Sequence, residues 1–434
     1  IGEFNNGDFI LAGETWNYGS GMNDVYLVKI NHSGDTIWTK TYGGASNDRA
    51  TGLIVTENDA VLITGRTKSF GPGEWGNIFL FKMTQSGEIL WYKTYGGDLY
   101  EDAGNIIQTS DGGFLLTGTT ESYTNGGKDV FIVKTDADGN QIWTKHYGST
   151  SDELGIAAAE FPGQGYIIAA NRFDIETNNY TANLLMTDYD GDTIWTKSPG
   201  NVMGNYVHDV LITQNNNIVF AGQAQDSIGN EVKLNAWYFK INPAGEILFN
   251  KTIGMWADEQ FYCLTQGGNG DLFFAGQTES ICVDYTTFED LYLVRTDLNG
   301  NVKYEGFCDN IVFPRVANDI LITQNNEIAI GGLYRISAGF LLMNEHMLSA
   351  PEKLLKDEMF LYPNPARTEI YVTIPNLSGT ANISMYNVHG QLVKSMVLNE
   401  NAQKIRISDL PAGMYLMKAH TGNKLYTNKL LIQN

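Results

Sequence analysis

Apolar residues in this chain come in short bursts that recur on a fixed beat. A stretch ending in Gly or Ala appears at Phe9–Gly13, Val61–Gly65, Phe114–Gly118, Tyr166–Ala170, Ile218–Gly222, Leu272–Gly276 and Ile328–Gly332. A second stretch follows each one, at Asp24–Ile30, Asn77–Met83, Asp129–Thr135, Ala182–Asp188, Ala236–Asn242, Asp290–Thr296 and Ala338–Asn344. A shorter one precedes all but the first, at Thr51–Thr56, Asn105–Thr109, Gly155–Glu160, Asp209–Thr213, Tyr262–Thr265 and Asp319–Thr323. A glycine followed four residues later by an aromatic marks a fourth, as in Gly34–Trp38, Gly87–Trp91, Gly139–Trp143, Gly191–Trp195, Gly245–Phe249 and Gly300–Tyr304. These glycines are spaced by 53, 52, 52, 54 and 55 residues. Such short runs, rich in aromatic and β-branched residues, predict strands. The best helical pattern, Pro351–Met359, spans only about two turns.

Each repeat therefore predicts four strands, A to D. Strand C is apolar on both faces, as in Val25-Tyr26-Leu27-Val28 and Val130-Phe131-Ile132-Val133. A sheet covered on both faces has to pack between two others, which is the condition of a β-propeller blade. A solenoid would use a shorter repeat, and a helical array would carry a 3.6-residue period. The expected fold is all-β, with a seven-bladed β-propeller over residues 1–346. Only Ile1–Phe4 is available for strand A of the first repeat, and no strand D follows Asn344 in the seventh. Ile1 thus falls inside a repeat, and residues upstream of it are expected to complete the last blade, as propellers commonly close.

The up-and-down strand order puts the tight A–B and C–D turns on one face. The long B–C loops and the D–A loops share the other, where function is expected. Stretches such as "DVFIVKTDADGNQIWTKHYG" at Asp129–Gly148 and "DGGFLLTG" at Asp111–Gly118 resemble the β-propeller repeat families of secreted bacterial proteins. That resemblance implies a fold and says almost nothing about activity.

Beyond Leu348 the beat stops. A charged linker at residues 347–359 contains Glu352, Lys353, Lys356, Asp357 and Glu358. Alternating strands then follow at Glu369–Ile374, Ala381–Asn387, Gln391–Leu398, Lys404–Ile407 and Leu425–Ile432. Their spacing predicts a small immunoglobulin-like β-sandwich over residues 360–434. Four separated motifs lie in it: Tyr362-Pro363-Asn364-Pro365-Ala366, Tyr386-Asn387 with Gly390 and Val393, Leu410-Pro411-Ala412-Gly413-Met414-Tyr415, and the closing Lys429–Ile432. Together they resemble the type A C-terminal sorting domain of the type IX secretion system. The resemblance implies export across the outer membrane of a Gram-negative bacterium of the Bacteroidota kind. It names the type IX secretion machinery and its sorting protease as partners. It further implies removal of the domain, with release or attachment to surface lipopolysaccharide, so that the protein is secreted or displayed on the outer membrane.

Charge narrows the partners. The chain carries 28 Lys and Arg against 49 Asp and Glu, a net of −21. From Pro351 onward the balance is 9 bases to 6 acids, so the acidity belongs to the repeats. A surface of that sign repels nucleic acid and anionic membrane. No apolar run is long enough to span a bilayer.

Candidate chemistry clusters on the loop face. The D–A loops carry Asp48, Glu101, Asp102, Asp152, Glu153, Asp258 and Glu259, with Trp256 beside the last pair. The B–C loops carry Trp16, Tyr18, Phe70, Trp75, Tyr123, Phe173, Tyr180, Tyr285 and Phe288. Aromatics beside carboxylates suit sugar binding, and paired carboxylates could also serve a glycosidase. Loop capping and gap filling between blades would use the same residue types. The leading expectation is non-catalytic binding of an extracellular glycan or protein, with no cofactor. A polysaccharide hydrolase or lyase, and a structural or adhesin segment of a longer protein, are the rivals. The Asp-x-Asp-Gly turns at Asp136–Gly139 and Asp188–Gly191 lack the acid that would close a calcium loop, and the six histidines are scattered, so no metal is expected. Cys282 and Cys308 fall in loops on the same face of one repeat, where an oxidising compartment would pair them. Such a bridge closes about 26 residues and is worth about 3 kcal/mol. Cys263 is then the buried free thiol.

Overall fold

A computed structural model describes the chain except for residues 125, 200–203, 229–230, 255–257, 280–289, 309–314, 335–336, 345–358, 363–365, 375–376, 378, 389, 400–401, 423 and 433–434. The helical candidate at 351–359 thus falls almost wholly outside the described residues. Two compact units divide the chain, Ile1–Leu348 and Ser349–Asn434. Among the described residues both are all-β, with no helix.

The first unit contains, among the described residues, six four-stranded antiparallel sheets and one of three strands, each built from consecutive strands. The third sheet is representative: Glu101–Gln108, Phe114–Thr120, Asp129–Thr135 and Gln141–Tyr147 pair in chain order. Its two middle strands are buried along their whole length. Its fourth strand is half exposed. This is the gradient that a strand C apolar on both faces demands, since each sheet packs between two neighbours. Successive sheets touch through their first strands, such as Asp48–Val55 on Glu101–Gln108 and Glu153–Phe161 on Tyr206–Ile212.

The seventh sheet (Val316–Ile322, Glu327–Tyr334, Ser337–Asn344) packs back on the first. Phe9 meets Phe340 at 5.0 Å between ring centroids. The amino group of Ile1 pairs with Asp319 at 2.7 Å. Among the described residues Ser337–Asn344 is the last strand of the seventh sheet, and a groove lined by Val28, Ile30, Phe340 and Leu342 runs beside it.

Strand A starts earlier than the hydrophobic pattern suggests. It opens at Asp48, Glu101, Glu153 and Glu259, so these acids are first strand residues and not loop residues. The cause is a β-bulge, recurring between Ala50 and Gly52, Gly155 and Ala157, Val207 and Asp209, Phe261 and Cys263, and Ala317 and Asp319. One extra residue breaks the two-residue alternation while pairing continues past it.

The second unit has two sheets. One holds Phe360–Tyr362, Glu369–Thr373 and Ala402–Arg406; the other holds Leu392–Leu398, Ala381–Asn387, Gly413–Thr421 and Lys424–Ile432. Ile370, Val372 and Ile405 from the first sheet share one buried core with Ile383, Met385, Met417 and Leu430 from the second. The sorting-motif residues are turn makers and core members. Gly390 takes φ +76° in the turn closed by Asn387 and Gln391. Gly413 begins a strand at φ +154°, and Lys429 lies in the last strand. Leu410 packs against the core, and the buried Tyr415 donates its hydroxyl to the Pro411 carbonyl at 2.7 Å. Tyr362 ends its strand, while Pro363, Asn364 and Pro365 lie outside the described residues.

Candidate functional site

The acids at the start of strand A turn inward. Asp48 accepts the Thr67 hydroxyl on Oδ1, and on Oδ2 the Ser69 hydroxyl at 2.6 Å and the Gly44 N–H at 2.8 Å. Glu101 accepts Thr120 Oγ1 at 2.8 Å, and Asn77 Nδ2 and the Gly97 N–H both at 3.1 Å. Glu153 accepts both the hydroxyl and the N–H of Ser149, at 2.6 and 3.1 Å. Glu259 accepts Thr278 Oγ1 at 3.3 Å. All four carboxylates are buried. Each ties the D–A loop before it, or the end of strand B beside it, to strand A.

Their chain neighbours are engaged too. Asp102 pairs with the Arg49 guanidinium and accepts the Tyr100 hydroxyl at 2.9 Å. Asp152 accepts the Lys128 N–H, and Asp258 the Leu234 N–H, each at 2.9 Å. Both bonds reach from a D–A region to a B–C region, so the two loop sets do share one face. Trp256 lies outside the described residues.

The aromatics behave differently. Trp16 is 65% exposed, Tyr18 68%, Trp75 55%, Phe70 44% and Tyr123 44%. All five stand in the B–C loops of the first three sheets. Lys68 Nζ sits 5.8 Å from the Trp75 ring, and Tyr123 stacks near His146 at 6.3 Å. Phe173 and Tyr180 instead pack edge-on against each other at 5.3 Å. Tyr285 and Phe288 lie outside the described residues.

The Asp-x-Asp-Gly turns use their carboxylates on themselves. Asp136 Oδ1 accepts the N–H groups of Asp138 and Asn140 at 2.9 and 2.8 Å, and Asp188 does the same for Asp190 and Asp192 at 3.0 and 2.8 Å. Among the described residues no group of three or more His, Cys, Asp or Glu is arranged to hold a metal. Cys263 is a buried free thiol whose titration burial pushes well up. Cys308 ends the strand Val302–Cys308, and Cys282 lies outside the described residues, so the expected bridge does too.

Sequence reasoning missed the first residue of strand C. Asp24, Asn77 and Asp129 are buried there, and Asp24 and Asn77 face the next sheet's strand A acid across the glycine that follows strand D. The signal was in the recurrent "YGG" and "YGS" at Tyr42–Gly44, Tyr95–Gly97 and Tyr147–Ser149. A Cβ on Gly96 would lie 2.3 Å from Glu101 Oε2 and 2.8 Å from Asn77 Nδ2.

Residues 360–433 match the family model of the secretion system C-terminal sorting domain. The tail is thus a type IX sorting domain, and the protein is secreted or held at the outer-membrane surface. A β-agarase A from Zobellia galactanivorans is 35% identical over 92 residues, which cover 20% of this chain and 16% of that enzyme. Among solved structures the chain is similar to PorZ, a bacterial surface component of the type IX secretion system of Porphyromonas gingivalis. There the identity is 11% and the TM-score 0.39, over 95% of this chain and 64% of that one. It is also similar to the extracellular domain of the putative hybrid two-component system BT3049 from B. thetaiotaomicron. That likeness is at 10% identity and TM-score 0.43, over 98% of this chain and 55% of that one.

Proposed function

We propose that the first unit is a seven-bladed propeller that binds an extracellular polysaccharide without catalysis, delivered by its sorting tail. The observation that carries the reading is the row of exposed aromatics Trp16, Tyr18, Phe70, Trp75 and Tyr123 on one face of three successive sheets. Flat apolar rings left in water mark a docking surface, and they suit the apolar face of a sugar ring. Support for binding over hydrolysis comes from the acids on that face. A glycosidase needs two carboxylates about 5–10 Å apart and turned to the substrate, whereas Asp48, Glu101 and Glu153 are spent on their own loops. Among the described residues the seventh sheet has three strands, and its contact with the first sheet supports closure of the ring. In the tail, a chain that switches sheets between Leu392–Leu398 and Ala402–Arg406 supports an immunoglobulin-like sandwich.

The test is retention of the purified protein on insoluble polysaccharides, agarose among them. Retention by at least one polymer is expected, with loss in Trp16→Ala and Trp75→Ala variants of unchanged Tm. Equal retention of the variants, or release of reducing sugar by the native protein, would overturn the reading. Export is tested separately: deleting residues 362–434 should leave the repeat unit folded in the periplasm, and finding it at normal levels in the medium would count against the tail's role.

A further inference from the structure

The joints between sheets repeat one device with different chemistry. At the second joint Asn77 opens strand C. Its Oδ1 accepts the Gly73 N–H at 2.8 Å, and its Nδ2 donates to Glu101 Oε2 at 3.1 Å and to the Gly97 carbonyl at 3.0 Å. Two acceptors converge on one amide group, and all are satisfied.

At the first joint the same place is taken by Asp24. Its Oδ2 accepts N–H groups from Ser20 at 2.6 Å and Gly21 at 3.2 Å, as Asn77 Oδ1 does from Gly73. Its Oδ1 therefore stands where the amide nitrogen stood, and it has nothing to donate. This oxygen is buried and has no hydrogen-bond partner. It points at Asp48: a Cβ placed on Gly43 would meet Asp24 Oδ1 at 1.9 Å and Asp48 Oδ2 at 2.9 Å. The counterpart of Gly97, four residues before the strand A acid, is Gly44. Among the described residues no Lys, Arg or His forms an ion pair with Asp24 or Asp48. The third joint differs. Asp129 also has an unpartnered Oδ1, but His146 Nδ1 lies 3.7 Å from its other oxygen.

Asp48 Oδ2 accepts the Ser69 hydroxyl and the Gly44 N–H, but nothing donates to Asp24 Oδ1, and two buried carboxylates facing each other there need something positive. We propose that the first joint holds a hard divalent cation, calcium in the extracellular medium, between Asp24 Oδ1 and Asp48 Oδ2, with the Gly44 carbonyl as a third oxygen. Carboxylate and carbonyl oxygens are the ligands calcium prefers, and water fills the remaining positions. The cation does at this joint what the Asn77 amide does at the next: it ties strand C of one sheet to strand A of the following one. The assignment does not rest on polysaccharide binding, although Asp24 Oδ2 holds Ser20 and Gly21 at the base of the loop that carries Trp16 and Tyr18.

The experiment uses the full chain stripped with EDTA, read by calorimetric titration and by Tm. Calcium at roughly millimolar concentration is expected to bind once per chain and to raise Tm by about 2 °C or more. The Asp24→Asn variant recreates the Asn77 arrangement. It is expected to fold, to match or exceed the native Tm in EDTA, and to lose both the binding heat and the calcium response. Binding that survives Asp24→Asn would overturn the assignment. So would a native Tm that ignores calcium. If Asp24→Asn were poorly folded, terbium luminescence competed by calcium on the native chain decides, and its absence would also refute the site.

Discussion

The hydroxyl of Tyr95 donates to the carbonyl oxygen of Gly139 at 2.6 Å, joining strand D of the second sheet to the C–D turn of the third. The same bond links Tyr42 to Gly87 and Tyr147 to Gly191, again at 2.6 Å. Two residues before each tyrosine, a lysine reaches the same turn. Lys40 bonds the Ser86 carbonyl at 2.7 Å, Lys93 bonds Asn140 at 3.1 Å and Lys145 bonds Asp192 at 2.6 Å. The ring of Trp91 lies over Gly139, where an added Cβ would come within 2.7 Å. The repeated Gly-x-x-x-Trp-x-Lys-x-Tyr spacing is therefore an inter-sheet clamp, with the turn of one sheet held by strand D of the sheet before it.

Replacing Tyr95 with Phe keeps the ring and removes that bond from a buried site. A net loss of about 1 kcal/mol follows for a buried neutral hydrogen bond, seen as a Tm lower by about 2 °C in a unit of this size. An unchanged Tm in differential scanning calorimetry would mean the clamp rests on the Lys and Trp contacts alone.

The glycine two residues before the end of strand B answers to the bulge opposite it. A Cβ on Gly118 would sit 2.2 Å from the Asp102 carbonyl oxygen, and on Gly65 1.9 Å from that of Arg49. Gly118→Ala should cost about 1–3 kcal/mol through overpacking against backbone. Gly112→Ala, in an open turn at φ +83° with nothing within 4 Å, should cost about 1 kcal/mol from backbone strain alone. Urea melts that rank the two the other way would refute the bulge argument. The fourth sheet supports it: Ala170 takes the strand B position and Gly155 faces it.

Much of the fold was legible because burial on both faces leaves an uninterrupted apolar run, as in Phe79-Leu80-Phe81 and Val130–Val133. The site was less legible, for two physical reasons. Bulges hide the register of strand A, so Asp48 and Glu101 read as loop acids when they begin strands. Pairings such as Asp24 with Asp48 join residues in different repeats through a glycine whose role is to leave space, and spacing alone does not reveal which oxygens meet there. The exposed aromatics Trp16 and Trp75 could be seen from sequence because a bulky ring in a long polar loop has few neighbours to cover it.

Asp209 gives the repeat unit a pH dependence. It follows the bulge in its strand A, and its carboxylate accepts the N–H groups of Val210 at 2.8 Å and Leu264 at 3.0 Å. Burial pushes its titration up to about 7, and the nearby Asp319 adds to the shift despite the two hydrogen bonds. The folded state then holds a proton that the unfolded chain releases near the ordinary carboxyl value of 3.8. Stability from this group is full below about pH 4 and is lost as pH rises through about 7. In Asp209→Asn the fall in Tm between pH 5 and pH 8 should be shallower than in the native protein. Parallel Tm-against-pH curves for the two would rule Asp209 out as the source.

Cys263 should be inert while the protein is folded. Its side chain is buried just past the bulge of its strand, in the core that the sixth and seventh sheets share and that includes Leu293 and Ile320, and its Sγ–H points to the Ala275 carbonyl at 3.6 Å. Burial pushes the thiol well above its usual range, and the carboxylates of Asp319 and Asp209 push it further. A thiol reacts as its thiolate, so both access and ionisation oppose modification. Iodoacetamide applied to native protein at pH 8 should leave the Cys263 peptide unmodified by mass spectrometry, and the same reagent in urea should alkylate it fully. Alkylation at comparable rates in the two conditions would place the thiol at the surface. Cys263→Ser should lower Tm, because the hydroxyl exchanges a well-packed sulfur for a smaller polar group in an apolar core. Cys263→Ala should fall between the two, since it leaves a small void and buries no polar atom.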